Sequence, residues 1–324
     1  MTEFVSYAAI VLIGAAGLDF LIGDPWHWPH PVQGMGWVIQ RYSNLTFKTT
    51  QSATVMKGLG VLLTILLVGG SAVMGWGLVA IAHRFNPWFG LGLEIILVAS
   101  CFAGRSLRDA AEDVLAPLIQ EDLTEARDRM SRYVGRDTQE LEQTEILRAV
   151  FETVAENSVD GIIGPLFYAL VGAATPLGSA SLALAYKAAS TLDSMMGYRE
   201  APYTHIGWFS AKFEDALTWL PCRLTVLTLA LISKKPRQVI ALCRRDAAAD
   251  PSPNSGWSEC AYAASLGVQV GGKNTYKGMV KVKSLMGNPV RKITPEVIRE
   301  CLKLNRVCFL LGLGLGVLLL WILG

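Results

Sequence analysis

Residues 58–82 carry no charged side chain. Wound as a helix at about 1.5 Å per residue, such a run is long enough to cross the ~30 Å hydrocarbon core of a bilayer. A chain that contains one must keep its backbone hydrogen-bonded inside the apolar layer. Residues 4–22 and 306–323 have the same character, the first with Asp19 near its end. Three further stretches are weaker: 87–104 carries Glu94, 161–189 is interrupted by Pro165 and Pro176, and 216–232 contains Pro221 and Arg223. The hydrophobic share of 52% and the mean hydropathy of +0.36 suit a membrane protein with sizeable polar loops. The expected fold is all-α: a polytopic integral membrane protein with about 4–6 membrane segments, some broken or re-entrant, and a helical cytoplasmic lobe.

The polar parts fall in blocks. Residues 23–57 read as a loop opened by Pro25, Pro29 and Pro31, and 190–215 as a polar connection. Residues 105–158 read as cytoplasmic helices, because Leu147, Val150, Phe151 and Val154 recur at helical spacing. On the opposite face of that helix stand Glu145, Glu152 and Glu156. Residues 234–305 form a basic cytoplasmic region. The stretch 233–306 holds 14 of the chain's 29 lysines and arginines against five acidic residues, Asp246, Asp250, Glu259, Glu296 and Glu300. Such a segment beside membrane spans reads as cytoplasmic and suits anionic partners. No motif supports nucleic acid as one of them. With no repeat or low-complexity tract, residues 1–324 read as a single integral-membrane unit. The N-terminus lacks a basic n-region, so no cleaved signal is expected. The six cysteines form no CxxC pair and read as small hydrophobes.

Five stretches carry chemistry. In GDPWHWPH, 23–30, the prolines fix a turn that presents Asp24 and His30; His27 and His30 are three apart, but no helical face aligns them as metal ligands. In AENSVDG, 155–161, Glu156, Asn157, Ser158 and Asp160 arrive together at the mouth of an apolar run. Oxygen donors of that kind suit Mg2+, and helix capping explains them equally well. In YKAASTLDSMMGYR, 186–199, Lys187, Asp193 and Arg199 offer a cation–carboxylate set, with snorkelling as the plain reading of Lys187. In RRDAAADPSPNSGW, 244–257, Arg244 and Arg245 precede a turn with Ser252 and Asn254, a phosphate pocket or a surface loop. In GVQVGGKNTYKG, 267–278, Gly271, Gly272 and Asn274 suggest a loop that lets backbone approach a ligand. Asn274 stands where a P-loop needs Ser or Thr, and the preceding ECAYAASLG reads as helix rather than strand, so a P-loop is not expected.

Taken in order, GDPWHWPHPVQGMG, AENSVDGIIGPLFYAL, YKAASTLDSMMGY, RRDAAADPSPNSGW and LGVQVGGKNTY resemble the adenosylcobinamide-phosphate synthases of cobalamin biosynthesis, the CbiB family. The resemblance runs from about Asp19 to about Gly287. Lys273 stands where proline is expected, Ser190 where asparagine is usual, and Cys260 in a normally alanine-rich stretch.

The resemblance implies an ATP- and Mg2+-dependent ligase of the bacterial inner membrane, with its active site facing the cytoplasm. It implies amide formation between adenosylcobyric acid and an amino alcohol phosphate such as (R)-1-amino-2-propanol O-phosphate, in contact with membrane lipid. A homo-oligomer stays open. On that basis Glu156, Asp160 and Asp193 are the Mg2+ candidates. Asp24, His30 and the same acidic cluster are candidates for proton transfer. Lys187, Arg199, Arg244 and Arg245 are candidates for binding phosphate, with Asn157, Ser252, Asn254, Gly271, Gly272 and Asn274 beside them. Two other readings compete: a regulatory membrane protein of the same superfamily, which would lack the polar motifs kept here, and a small-molecule transporter, suggested by Glu94 and the broken helices.

Overall fold

The computed structural model describes residues 2–25 and 28–323. It is predominantly helical and divides into two compact units, residues 1–105, 164–218 and 311–324 in the first, and 106–163 and 219–310 in the second. The chain order is α1 (Thr2–Leu21), α2 (Pro31–Thr49), α3 (Ala53–Phe85), α4 (Pro87–Ala99), α5 (Gly104–Ile119), α6 (Leu123–Ser131), α7 (Gln143–Ser158), α8 (Gly164–Ala173), α9 (Ser179–Met196), α10 (Trp208–Ile232), α11 (Pro236–Asp246), α12 (Ser255–Leu266), β1 (Gln269–Tyr276), β2 (Met279–Gly287) and α13 (Pro295–Leu323). The polar blocks 105–158 and 234–305 contribute most of the second unit.

Among the described residues, four helical segments are long and apolar enough to cross a membrane: Ala53–Phe85, Pro87–Ile119, Trp208–Ile232 and Pro295–Ile322. The protein is a multi-pass membrane protein. The apolar stretch after residue 160 is not a fifth long helix. After a π-turn at Val159–Ile163, α8 has ten residues, about 15 Å, too short to cross. It folds back through residues 174–178 onto α9, the hairpin that Pro165 and Pro176 foreshadow.

In the first unit α3 and α9 pack antiparallel. Gly60 lies against the carbonyl of Ile206, where a Cβ would stand only 2.0 Å from that oxygen, so only glycine allows the approach. Ile39, Leu63, Leu192, Met196 and Ile206 close the core there. The block 23–57, expected as a loop, contains a full helix. His30 caps α2, its Nδ1 accepting from Val32 N at 3.2 Å, and Pro31 takes the first helical position, where a missing N–H costs nothing. Glu94, the intramembrane carboxylate, is buried and fully engaged. Its Oε1 accepts from Ser179 N at 3.0 Å, capping α9, and its Oε2 accepts from Tyr7 Oη at 2.7 Å.

The second unit is built on α7. Its apolar face, with Ile146, Val150, Phe151 and Val154, packs into a core that includes Leu115, Tyr262, Val268, Met286 and Ile298. Its polar face holds the β-hairpin. Glu152, 2% exposed, accepts from Arg136 at 2.6 Å, from Arg148 at 3.0 Å and from Gly271 N at 2.9 Å. Arg148 also donates to the carbonyls of Gly271 and Lys273, and both arginines donate to Asn274 Oδ1. Gly271 and Gly272, at φ of +90° and +98°, make the irregularity in the strand register, and a Cβ on Gly271 would sit 2.1 Å from Ser284 O. The segment expected as a Gly-rich loop is therefore a strand whose glycines bring backbone to backbone.

Burial alone would raise the Glu152 carboxyl, but the Arg136 and Arg148 guanidiniums, with the Gly271 N–H, outweigh it and hold the group below its usual range. Glu152→Gln is expected to lower stability by about 3–5 kcal/mol, because it leaves two buried guanidiniums short of charge. The carboxylate's contribution is complete above the unfolded-state value and is lost as pH falls through the lower folded-state value. Thermal melts in detergent between neutral and acidic pH should show the wild type losing its advantage over Glu152→Gln as the medium is acidified.

Candidate functional site

The residues singled out by sequence fall on both units. In the first, the structure brings Asp24 and His30 together, with His30 Nε2 3.2 Å from Asp24 Oδ1. Because Nδ1 accepts the cap bond from Val32, Nε2 is the ring nitrogen that carries the proton; it lies near the carboxylate without a hydrogen bond to it. Trp26 and His27 lie outside the described residues, so the His27–His30 spacing is not tested. Lys187 is half-buried on α9 and makes no ion pair among the described residues. Asp193 is on the last turn of the same helix, its carbonyl accepting from Gly197 N at 2.7 Å, and Arg199 is exposed beyond it.

In the second unit, Glu156 stands one turn after Glu152 on α7, and Asp160 lies in the π-turn that follows. The two glutamates differ sharply. Every Glu152 oxygen has a donor, whereas the Glu156 side chain has no hydrogen bond or ion pair among the described residues. The Glu156 side chain is exposed. Neighbouring protein still crowds its carboxyl and raises its proton affinity, which Lys283 opposes and Asp250 and Glu152 reinforce. Asn157 turns back to its own helix, donating to Thr153 O at 2.9 Å.

The paired arginines have separate fates. Arg245 chelates Asp246, at 2.5 and 2.9 Å, and donates to Asn288 at 3.0 Å, while Asp246 accepts from Gly287 N at 2.9 Å. It ties α11 to the end of the hairpin. Arg244 is exposed and forms no ion pair among the described residues. The DPSPNS turn bonds to itself. Asp250 Oδ1 accepts from Ser252 N at 2.9 Å, and Ser252 Oγ accepts from Asn254 N and Ser255 N, each at 3.2 Å, ahead of α12. Asn254 is buried there, and Gly271, Gly272 and Asn274 belong to the hairpin clamp.

Three groups that sequence reasoning missed complete the cluster around Glu156. Lys283 Nζ lies 2.5 Å from Glu259 Oε1 and 3.5 Å from Asp250 Oδ2. Glu259 is fully buried, and its Oε2 meets no donor. Burial drives its carboxyl well above the usual range, with Lys283 opposing and Glu156 reinforcing the rise. The one available signal was a lone carboxylate in the otherwise apolar ECAYAASL of α12. Among the described residues, no three His, Cys, Asp or Glu side chains form a ready metal cage, and of the three carboxylates expected to hold Mg2+, Asp193 belongs to the first unit and Glu156 and Asp160 to the second.

Comparison with known proteins gives a consistent result. The family described as CobD/Cbib protein matches residues 12–305. The cobalamin biosynthesis protein CobD of Synechocystis sp. is 50% identical over 314 residues, covering 97% of this chain and 92% of the relative. The cobalamin biosynthesis protein CbiB of Salmonella typhimurium is 41% identical over 302 residues, covering 92% and 93%. No solved structure matches. The sequence motifs, the membrane-spanning helices and these relatives agree: the chain belongs to the CobD/CbiB family of cobalamin biosynthesis proteins.

Proposed function

We propose that this chain is an ATP-dependent carboxylate–amine ligase, joining adenosylcobyric acid to an amino alcohol phosphate to give adenosylcobinamide phosphate. The observation that carries the reading is the charged cluster of Lys283 with Asp250 and Glu259, in which the fully buried Glu259 leaves Oε2 without a donor among the described residues. A buried carboxylate with an oxygen left unmet is costly, and such groups gather at functional sites. The reading places the protein in the bacterial inner membrane with the basic segment 233–306 on the cytoplasmic side, following the positive-inside rule.

Amide formation from a carboxylate and an amine in water is uphill, so ATP must first convert the carboxylate to an acyl phosphate or adenylate. The amine then attacks the acyl carbon, the C–N bond forms, and phosphate or AMP leaves with the oxygen. The chain's own groups neutralise anions and take up a proton. Arg244, exposed and without an ion pair among the described residues, and Lys187 and Arg199 are candidate phosphate cations. The ammonium must lose a proton before it attacks, a role for Asp24, whose other neighbour His30 is held in one tautomer by the α2 cap.

Mg2+ takes oxygen ligands, and Glu156 and Asp160, four residues apart at the end of α7 and in the π-turn, offer two. Glu156 and Asp160 would hold Mg2+, which would offset phosphate charge when bound.

Purified protein in detergent, given ATP, Mg2+, adenosylcobyric acid and (R)-1-amino-2-propanol O-phosphate, is expected to form the amide with one nucleotide cleaved per product. No ATP-dependent product, under conditions where a CbiB relative turns over, would overturn the reading. Glu156→Gln and Asp160→Asn should each cost at least about 100-fold in kcat with an unchanged melting temperature; full activity in both refutes their role. Arg244→Ala should raise KM for a phosphate-bearing substrate with kcat nearly constant, the pattern of lost uniform binding. Arg245→Ala should act chiefly on stability, because its guanidinium is already engaged by Asp246.

A further inference from the structure

The neighbours of α2 in sequence, α1 and α3, run in opposite directions through the first unit. Near the start of α1, Tyr7 Oη donates to Glu94 and lies 2.8 Å from Nε2 of His83, in the last turn of α3. Near the end of α1, Asp19 Oδ1 accepts from Arg105 N at 3.5 Å, just beyond α4. The end of α1 and the start of α3 therefore share the end of the unit that lies opposite the α3–α4 turn, and α2 joins them there. The uncharged run of α3 begins at residue 58, directly after Lys57. That places α2 where a membrane-crossing helix leaves the hydrocarbon.

One side of α2 is used for packing. Met35, Ile39, Ser43 and Thr46 are buried, Ile39 against Leu63, Leu192 and Met196, and Tyr42 Oη donates to Leu59 O at 3.0 Å. Trp37, Arg41, Leu45 and Lys48, three or four residues apart, fall together on the other side. All four are exposed, Trp37 and Leu45 at 61% each. A helix face turned to water is polar throughout, whereas this one alternates large apolar groups with cations. The Arg41 guanidinium lies over the Trp37 ring, 5.6 Å from its centroid. Beside it in the same unit, Lys57 Nζ stands 5.4 Å from the centroid of the half-exposed Trp208. Indole rings paired with cations at the end of a span are the composition of the headgroup layer.

Charge decides which headgroup. No Asp or Glu occurs between Pro25 and Leu93. Arg41, Lys48 and Lys57 are exposed and form no ion pair among the described residues. A zwitterionic headgroup brings its own cation, which these three would repel, and an anionic one supplies the charge they lack. A second copy of the chain meeting this face across a two-fold axis would set cation against cation.

We propose that the Trp37–Arg41–Leu45–Lys48 face of α2 is a docking surface for anionic phospholipid headgroups. Arg41 and Lys48 engage the phosphates, and Trp37 and Leu45 seat the helix at the boundary with the acyl chains. The surface owes nothing to the ligase reading, and its failure would leave that reading untouched.

The test uses the full chain in nanodiscs of phosphatidylcholine alone or of phosphatidylcholine mixed with phosphatidylglycerol. Asn44→Cys, on the same exposed face, carries a nitroxide; the six native cysteines are buried and do not compete for the label. Collision with oxygen reports the acyl region, and collision with a water-soluble nickel chelate reports solvent. In phosphatidylglycerol discs the nitroxide is expected at headgroup depth, and in pure phosphatidylcholine it should shift toward water. Arg41→Gln/Lys48→Gln should abolish the difference between the two compositions, and so should raised salt in the protein with both cations intact. Lys273→Gln/Lys292→Gln removes two exposed cations elsewhere and should preserve the difference. All four substituted side chains lie at the surface, so the folded yield should hold. A nitroxide that reads bulk water in both compositions overturns the proposal. So does one shielded from both reagents, as beneath a second copy, or one at equal depth in both lipids. A difference that survives Arg41→Gln/Lys48→Gln overturns it too, since other cations would then be the source.

Discussion

The carboxylate of Glu152 accepts from two guanidiniums and a backbone N–H in a place with almost no water. A charge in such surroundings is tolerable only when every lone pair is met, and meeting them fixes much else. Arg136 and Arg148 are pinned, Asn274 is pinned by the arginines, and the bulged strand is held to α7 through Gly271. Val270 and Met286 seat the base of the hairpin in the core while Val280 and Val282 are exposed, so this polar clamp and the core together set its position. Lys283 is delivered to Glu259 because the strand before it is anchored in this way.

The first unit obeys the same rule. Glu94 is 4% exposed within an apolar helix, and it survives there by capping α9 and accepting from Tyr7. Its charge sits against the positive end of a helix, the most favourable place in a low-dielectric layer for an anion. An intramembrane carboxylate is by default a functional suspect, and this one has a complete structural account. Glu259 is an informative exception: it is fully buried, and the same accounting leaves its Oε2 unmatched among the described residues.

What could be read from the sequence was whatever local periodicity encodes. The long apolar helices, the buried face of α7 and the prolines that break the stretch after residue 160 all act within a turn or two of themselves. The hairpin was not legible. Gly271, Gly272, Lys273 and Asn274 are poor strand formers, and only pairing with β2 and the bonds from α7 make that segment extended. The polar block 23–57 hid α2, whose start is set by a single histidine cap ahead of Pro31. The Lys283 cluster was hidden by distance. Glu259 is 24 residues from Lys283 in sequence, and each looks like an ordinary charge until the fold brings them together. Glu156 and Asp160 could be singled out because they crowd one stretch of chain, which is a local signal too.

The basic segment shows why counting charges overstates what they can bind. Within 233–306, Arg245 is engaged by Asp246, Lys283 by Glu259 and Asp250, Arg291 by Glu300, and Arg299 by Glu112. A phosphate needs a cation with donors to spare, so these four are poor candidates, and Arg244 is a better one than its neighbour. The membrane-orienting effect of the segment does not share that discount. The positive-inside rule counts lysines and arginines near span ends with little regard for acidic partners. One run of residues therefore carries two arguments of different strength: all of its cations bear on which side of the membrane it lies, and only the unpaired ones bear on what it binds there.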